Sequence, residues 1–258
     1  MRTAESVANR AARGVIVALL CAVTALAWVW LYPMHMAPTA SYFVDRPAAS
    51  AMPWSAARWA FLLIMWSVMM AAMMLPTALG MILAVDRMAR ARSERRASLI
   101  VASFVLAYIA VWTGFSAIAT LAQWFAERAS LMSPMMASAS AWMSGAVLIG
   151  AGLFQFSPQK HACLARCRSP LGFLLTERRS GIGGAFVTGL RHGLFCLGCC
   201  WALMALMFVF GTMNLAAAAA LAAVVLAEKA LPGGVAIGRL VGVALVAAGI
   251  AVLARFVR

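Results

Sequence analysis

Long apolar segments dominate this sequence and restrict its fold more than any motif does. Of the 258 residues, 65% are hydrophobic and 11% are charged, which is more apolar surface than a water-soluble domain can bury. Several stretches reach the length of about 20 residues that a helix needs to cross the hydrocarbon core of a bilayer. We therefore predict an all-α fold: a polytopic transmembrane helix bundle of about seven spans, with six as the alternative.

The predicted spans alternate with short polar segments. The first span, Gly14–Tyr32, is long for the apolar region of a signal peptide and ends in aromatic residues without a cleavage site after it, so we interpret it as a signal anchor. The other six are Ala57–Val85, Ser98–Phe125, Ala139–Phe156, Gly184–Thr212, Leu215–Ala230 and Val235–Phe256. Residues 1–13 then form a cytoplasmic N-terminal segment, and residues 14–258 form one transmembrane domain.

Basic residues predict the orientation of this domain. Segments 86–97 and 157–183 carry five lysines or arginines each, whereas segments 33–56 and 126–138 carry one each. Positive loops remain in the cytoplasm, so we predict a bacterial inner-membrane protein whose N-terminus and two basic segments are cytoplasmic. Arg255 and Arg258 would then end outside, and a last segment that crosses only halfway would explain this and reduce the spans to six.

The net charge of +14 is spread over many short segments and forms no single basic patch. Nucleic acid is therefore not an expected partner, whereas the lipid bilayer is. Because there are only 7 acidic residues, a magnesium or calcium site built from carboxylates is not expected either.

Five of the six cysteines fall into two clusters. The first cluster lies in segment 157–183, and the second lies early in the span that follows. The members are Cys163 and Cys167, then Cys196, Cys199 and Cys200. Helix positions i, i+3 and i+4 share a face, so the second cluster would present its thiols together, with His192 one turn before it and Met204 one turn after it. The first cluster would do the same if its segment is helical. The reducing cytoplasmic side disfavours disulfides, and thiols near imidazole and thioether groups form a ligand set for a soft ion, copper(I) first and zinc second.

Two adjacent pairs of methionines precede a proline in the second span. They are Met69, Met70, Met73 and Met74, in the stretch MMAAMMLP. Methionine fills irregular gaps in a helical core, and its sulfur also binds soft metal ions. The predicted topology puts these residues at the depth of the second cysteine cluster, so both interpretations remain open at this point.

Ionisable residues also occur within apolar runs, and each of them allows two interpretations. Glu228 lies near the inner end of the sixth span, where it either occupies a functional position or pairs with an arginine, while Lys229 can snorkel to the interface. Arg191 and His192 interrupt another apolar run among glycines, which fits either a bent helix around a wet pocket or a span that starts later.

Four motifs resemble a bacterial family of predicted metal-binding integral membrane proteins, a family with a domain of unknown function. The motifs are WSVMMAAMMLP (66–76), FQFSPQKHACLARCRSP (154–170), GLFCLGCCWALM (193–204) and EKALP (228–232). Together they imply a match from roughly Trp59 to Val241. The resemblance implies metal binding and specifies no reaction, substrate or coordination geometry.

These patterns favour one function and leave two alternatives. The favoured function is binding of a soft metal ion, copper(I) first, for transport, delivery or insertion, with a metallochaperone or a metalloenzyme under assembly as partner. The alternatives are a membrane thiol–disulfide oxidoreductase and an assembly subunit with a structural zinc. The sequence contains no H-E-x-x-H, G-x-S-x-G or P-loop motif, so enzymatic activity is not the first expectation.

Overall fold

Helices account for nearly all of the chain that the structure, a computed structural model, describes. It describes residues 2–36, 54–92, 94, 96–131, 140–177, 179–212 and 214–257. Within these ranges the helices, numbered in chain order, are α1 Arg2–Met36, α2 Ala56–Ala91, α3 Ala97–Arg128, α4 Ala141–Phe154, α5 Pro158–Arg168, α6 Pro170–Thr176, α7 Gly181–Ala205, α8 Met207–Phe210, α9 Leu215–Ala230 and α10 Gly234–Val257. The all-α prediction is confirmed for this part of the chain.

Five helical segments are long and apolar enough to cross a membrane. They are Ala11–Pro33, Ala56–Ala91, Ala97–Arg128, Gly181–Phe210 and Gly234–Arg255. The remaining two predicted spans correspond to α4 and α9, which have 14 and 16 residues and at 1.5 Å per residue fall short of the roughly 30 Å hydrocarbon core. The structure therefore agrees with a multi-pass protein, but it does not confirm a count of about seven.

Short polar residues determine where several helices begin. The side chains of Ser55, Ser140 and Ser157 each accept a hydrogen bond from the backbone N–H three residues later, at the start of α2, α4 and α5. Asn214 does the same at the start of α9. Such caps satisfy one of the backbone donors that the first helical turn leaves free.

Helix α7 lies very close to α3 because glycines replace side chains at their contact. A Cβ atom added to Gly189 would lie 2.4 Å from the carbonyl oxygen of Phe104, and one added to Gly193 would lie 2.9 Å from Cβ of Val111. Small residues allow helix backbones to approach in this way. The approach brings Tyr108 of α3 next to Cys196 of α7, with the hydroxyl 3.0 Å from the sulfur.

We expect Gly189→Val to destabilise the protein, because the new side chain has no space against the α3 backbone. Overpacking of this kind typically costs about 1–3 kcal/mol, and it would also move Tyr108 away from Cys196. Thermal unfolding in detergent measures the effect. Gly183→Val is the matched control, since a Cβ at that position of the same helix meets nothing within 4 Å; equal unfolding temperatures for the two variants would contradict the expectation.

A second glycine contact joins α4 to α10. A Cβ on Gly152 would lie 2.8 Å from the carbonyl oxygen of Gly242, and a Cβ on Gly249 would lie 2.9 Å from that of Gly145. The spacing of seven residues on each helix keeps both glycines on one face. This helix pair contains none of the predicted metal ligands, so the candidate site depends on α2, α3, α5, α7 and α9.

Candidate metal centre

The two cysteine clusters meet where α5 packs against α7. The thiol of Cys167 interacts with those of Cys196 and Cys199, and a Cβ on Gly198 would lie 2.8 Å from the sulfur of Cys163. Cys163 and Cys167 lie on helix α5, which is the condition under which their spacing places both thiols on one face. A segment that the sequence treats as a connecting loop therefore contains a helix that brings its thiols to those of the next span.

The thiols of α7 are more buried than the thiols of α5. The three cysteines of α7 are at most 1% exposed, whereas both cysteines of α5 are half-buried. All six cysteines in the chain are free thiols. Hydrogen bonding to Cys196 and Cys199, followed by burial, holds the pKa of Cys167 well above its usual value. Burial, together with the nearby Cys199, raises the pKa of Cys163.

The sulfur of Cys196 is one member of a closed ring of polar contacts. This sulfur lies 3.0 Å from the hydroxyl of Tyr108 and 2.9 Å from Nζ of Lys229. The Tyr108 hydroxyl donates to the backbone carbonyl of Met74 over 3.1 Å, and Thr77 Oγ1 donates to the same carbonyl over 2.8 Å. Lys229 Nζ completes the ring by donating to Thr77 Oγ1 over 3.0 Å. Residues from α2, α3, α7 and α9 thus meet at one thiol.

Pro76 lies between Met74 and Thr77, the two residues of α2 that take part in this ring. A proline inside a helix removes one backbone donor and disturbs the preceding turn. The carbonyl of Met74, within that turn, accepts from two hydroxyl groups outside the usual helical pattern.

The four paired methionines have different neighbours in the structure. All four are at most 2% exposed, as core residues and buried ligands both are. The sulfur of Met74 lies 3.9 Å from the Cys200 sulfur. Met69 instead lines a small cavity with Met65, Leu31 and Asn214. All four belong to the hydrophobic core, as the α7 cysteines do, and Met74 in addition contacts a predicted thiol ligand.

His192 is buried among aromatic rings. Its ring lies 5.7 Å from that of Tyr108, in a stacked arrangement, 5.8 Å from that of Phe104 and 5.7 Å from that of Phe173. Its Nδ1 atom is buried without a hydrogen-bond partner in the described part of the chain. Met204, the other residue on the predicted stripe, is fully buried one turn beyond Cys200.

Glu228 pairs with a lysine and not with the thiols. Both of its carboxylate oxygens accept from Nζ of Lys160, at 2.7 and 2.9 Å, and both side chains are 1% exposed. Gln155 also accepts from Lys160, and Arg168 donates to the backbone carbonyl of Glu228. The expectation of an arginine partner for the carboxylate is therefore wrong, since Arg168 reaches only the backbone. The pair fastens α5 to α9 and so positions the two cysteines that α5 carries.

The segment around Arg191 and His192 is a continuous helix. Helix α7 runs without a break from Gly181 to Ala205, and the exposed side chain of Arg191 pairs with Glu177. The unbroken helix argues against the bent helix of the first sequence interpretation, and the position of Arg191 at the edge of the span stays a prediction.

Sequence analysis missed three members of the polar ring: Tyr108, Thr77 and Lys229. For two of them, the sequence contained a distinguishing feature. Tyr108 is the one tyrosine within the predicted spans that follow the first, and Lys229 is one of only two lysines in the chain. Thr77 has no distinguishing sequence feature.

The described residues contain no group of three or more histidine, cysteine, aspartate or glutamate side chains that could hold a metal ion. The thiols of Cys199 and Cys200 both donate to the carbonyl oxygen of Cys196, over 3.0 and 2.9 Å. The donor chemistry nevertheless suits a soft ion, because thiols and a thioether are gathered within one apolar interior.

The fold defines an all-helical class of protein with several helices able to span a membrane. The chain belongs to the PpoB2 copper chaperone family, whose match covers residues 63–252. This range contains both cysteine clusters and closely follows the range of roughly Trp59 to Val241 implied by the four motifs. The resemblance to a metal-binding family is therefore confirmed in part, as membership of a copper-related family. No curated protein and no solved structure matches the chain.

Proposed function

We propose that this protein is a membrane-embedded copper(I) chaperone that receives the ion at its clustered thiols and passes it to a partner protein. The observation that carries the proposal is the meeting of the α5 and α7 thiols beside the sulfur of Met74. Membership of a copper chaperone family supports copper as the cargo. Copper(I) suits this set because it prefers sulfur ligands.

Two of the three α7 thiols would hold the ion as thiolates, and a thiol of α5 would pass it to them. Cys199 and Cys200 point to the carbonyl of Cys196, and rotation about their Cα–Cβ bonds frees both sulfurs without moving the helix. Such rotations are among the fastest side-chain motions. The Met74 thioether then supplies a neutral sulfur next to Cys200.

Cys163 is suited to the entry or exit step. It is half-buried, whereas the α7 thiols are buried, and it lies one helical turn from Cys167. An ion can move along such a series by exchanging one thiolate ligand at a time, so that it is never without a soft ligand. The distribution of arginines supports a cytoplasmic location for this entrance, where a soluble metallochaperone or a metalloenzyme under assembly would dock.

Metal analysis of the purified, detergent-solubilised protein tests the proposal. We expect it to retain copper(I) against a competing chelator and to prefer copper(I) to zinc. Cys21→Ser should behave like the wild type, because this cysteine is exposed on α1 and apart from the clusters. A wild-type protein that retains no copper would refute the proposal, and a reversible disulfide formed without metal would favour the oxidoreductase alternative.

Met74→Leu should weaken copper(I) binding by about tenfold, the lower end of the loss when a metal site loses a supporting group. Leucine and methionine are close in volume, so the free energy of unfolding should change by less than about 1.5 kcal/mol. The control is Met70→Leu combined with Met73→Leu, two buried positions on the same helix. Chelator competition measures both, and wild-type affinity in both variants would assign a packing role to these three methionines.

A further inference from the structure

The chain contains only two lysines, and the structure gives them different surroundings. Lys160 is buried and pairs with the carboxylate of Glu228. Lys229 is half-buried, and its ammonium group contacts the sulfur of Cys196 at 2.9 Å and the hydroxyl of Thr77 at 3.0 Å. Among the ion pairs formed by described residues, none includes Lys229.

This difference is unexpected for two lysines in one apolar bundle. A charge held away from water is unfavourable unless an opposite charge compensates for it. The neighbouring carboxylate of Glu228 forms no ion pair with Lys229, because both of its oxygens accept from Lys160. Among the described residues, the Cys196 thiol and the Thr77 hydroxyl lie within hydrogen-bonding distance of Lys229. The other two α7 thiols and the Tyr108 hydroxyl are close enough to interact with it electrostatically. A thiol becomes negative when it binds a metal ion.

We propose that Lys229 is the counter-ion of a copper(I) site formed by two thiolates, and that it makes the site selective for a monovalent ion. This inference rests on the proposed function. Copper(I) held by two thiolates has a net charge of −1, and the ammonium group of Lys229 brings the total to zero. A divalent ion on the same two thiolates is already neutral, so Lys229 leaves it with a surplus positive charge. The low-dielectric interior penalises that surplus more than water does.

The geometry allows the ammonium group and the ion to share one sulfur. A thiolate accepts a hydrogen bond on one side while it coordinates a metal on another, as outer-shell donors to metal ligands do. Tyr108 and Thr77 hold the arrangement from α3 and α2. Lys229 is therefore a positioning and specificity residue that acts through Cys196, and it is not a metal ligand itself.

Competition between silver(I), a monovalent and redox-inert substitute for copper(I), and zinc(II) tests this on the full-length protein in detergent. The variants are Lys229→Gln, which removes the charge, and Lys229→Arg, which keeps it. We expect Lys229→Gln to lower the affinity for silver(I) relative to zinc(II) by about 10- to 100-fold. Lys229→Arg should retain the wild-type ratio of affinities.

Arg166→Gln is the control for general electrostatics, because it removes an exposed positive charge from α5. It should leave the ratio unchanged. An unchanged ratio in Lys229→Gln, or loss of selectivity in Lys229→Arg, would overturn the role of Lys229 while leaving the copper site intact. If the wild type binds neither ion, the proposed function itself fails, so the two failures are distinguishable. If Lys229→Gln does not fold, Lys229→Met, which also removes the charge and keeps an unbranched side chain, takes its place with the same expected loss of selectivity.

Discussion

Replacing Cys199 and Cys200 with serine should abolish copper(I) binding and leave the helical bundle folded. A serine hydroxyl is a harder and much weaker ligand for a soft ion than a thiolate. The same hydroxyl can still donate to the carbonyl of Cys196, as the two thiols do over 3.0 and 2.9 Å. We therefore expect affinity to fall by at least about 100-fold, the upper end of losses caused by outer-shell changes alone.

Copper retained against a chelator measures this effect, and thermal unfolding confirms that the double variant remains folded. Cys21→Ser is the matched control, since it makes the same chemical change at an exposed position on α1. A double variant that still retains copper like the wild type would show that the α7 thiols are packing residues. Copper would then have to bind elsewhere.

Glu228→Gln should strongly destabilise the folded protein. The substitution removes the negative charge facing Lys160, and both side chains are 1% exposed. Breaking a buried ion pair from one side typically costs about 3–5 kcal/mol, because the remaining charge stays in an apolar interior without compensation. Helix α5 should detach from α9, and copper transfer should decline because α5 carries Cys163 and Cys167.

Thermal or denaturant unfolding in detergent measures this loss. Glu127→Gln is the matched control, since its ion pair with Arg58 is partly exposed, and such pairs contribute about 1 kcal/mol or less. Replacing both partners, with Lys160→Met and Glu228→Leu, should recover part of the lost stability, because an apolar pair leaves no buried charge. If Glu228→Gln unfolds at the same temperature as the wild type, the pair does not hold α5 in place.

The sequence alone determined what depends on local interactions. Apolar segments of sufficient length predicted a helical multi-pass protein, because a buried backbone must satisfy its own hydrogen bonds. The i, i+3 and i+4 spacing of Cys196, Cys199 and Cys200 predicted one thiol-bearing face, since helical periodicity orients side chains without reference to other helices. The motifs likewise pointed to a metal-binding family before any fold was known, and a copper-related family is confirmed.

Composition predicted the number of spans less well than it predicted the helical fold. Two apolar stretches that the sequence counts as spans form α4 and α9, with 14 and 16 residues. Helix α4 begins after its cap Ser140 and ends at Phe154, which makes it four residues shorter than the predicted span Ala139–Phe156. Helix α9 has the predicted bounds, so its 16 residues were already fewer than the roughly 20 that a full crossing needs.

Only the tertiary structure decided which side chains share the site. Met74 lies beside Cys200 whereas Met69 lines a cavity with Leu31 and Asn214, and nothing in the stretch MMAAMMLP distinguishes the two. Lys229 and Glu228 are adjacent in sequence, but on α9 one faces the thiol of Cys196 and the other faces Lys160. These outcomes depend on how each helix is rotated about its axis and how closely it approaches its neighbours. Rotation and approach are set by contacts between residues far apart in the chain, such as the backbone contact at Gly189.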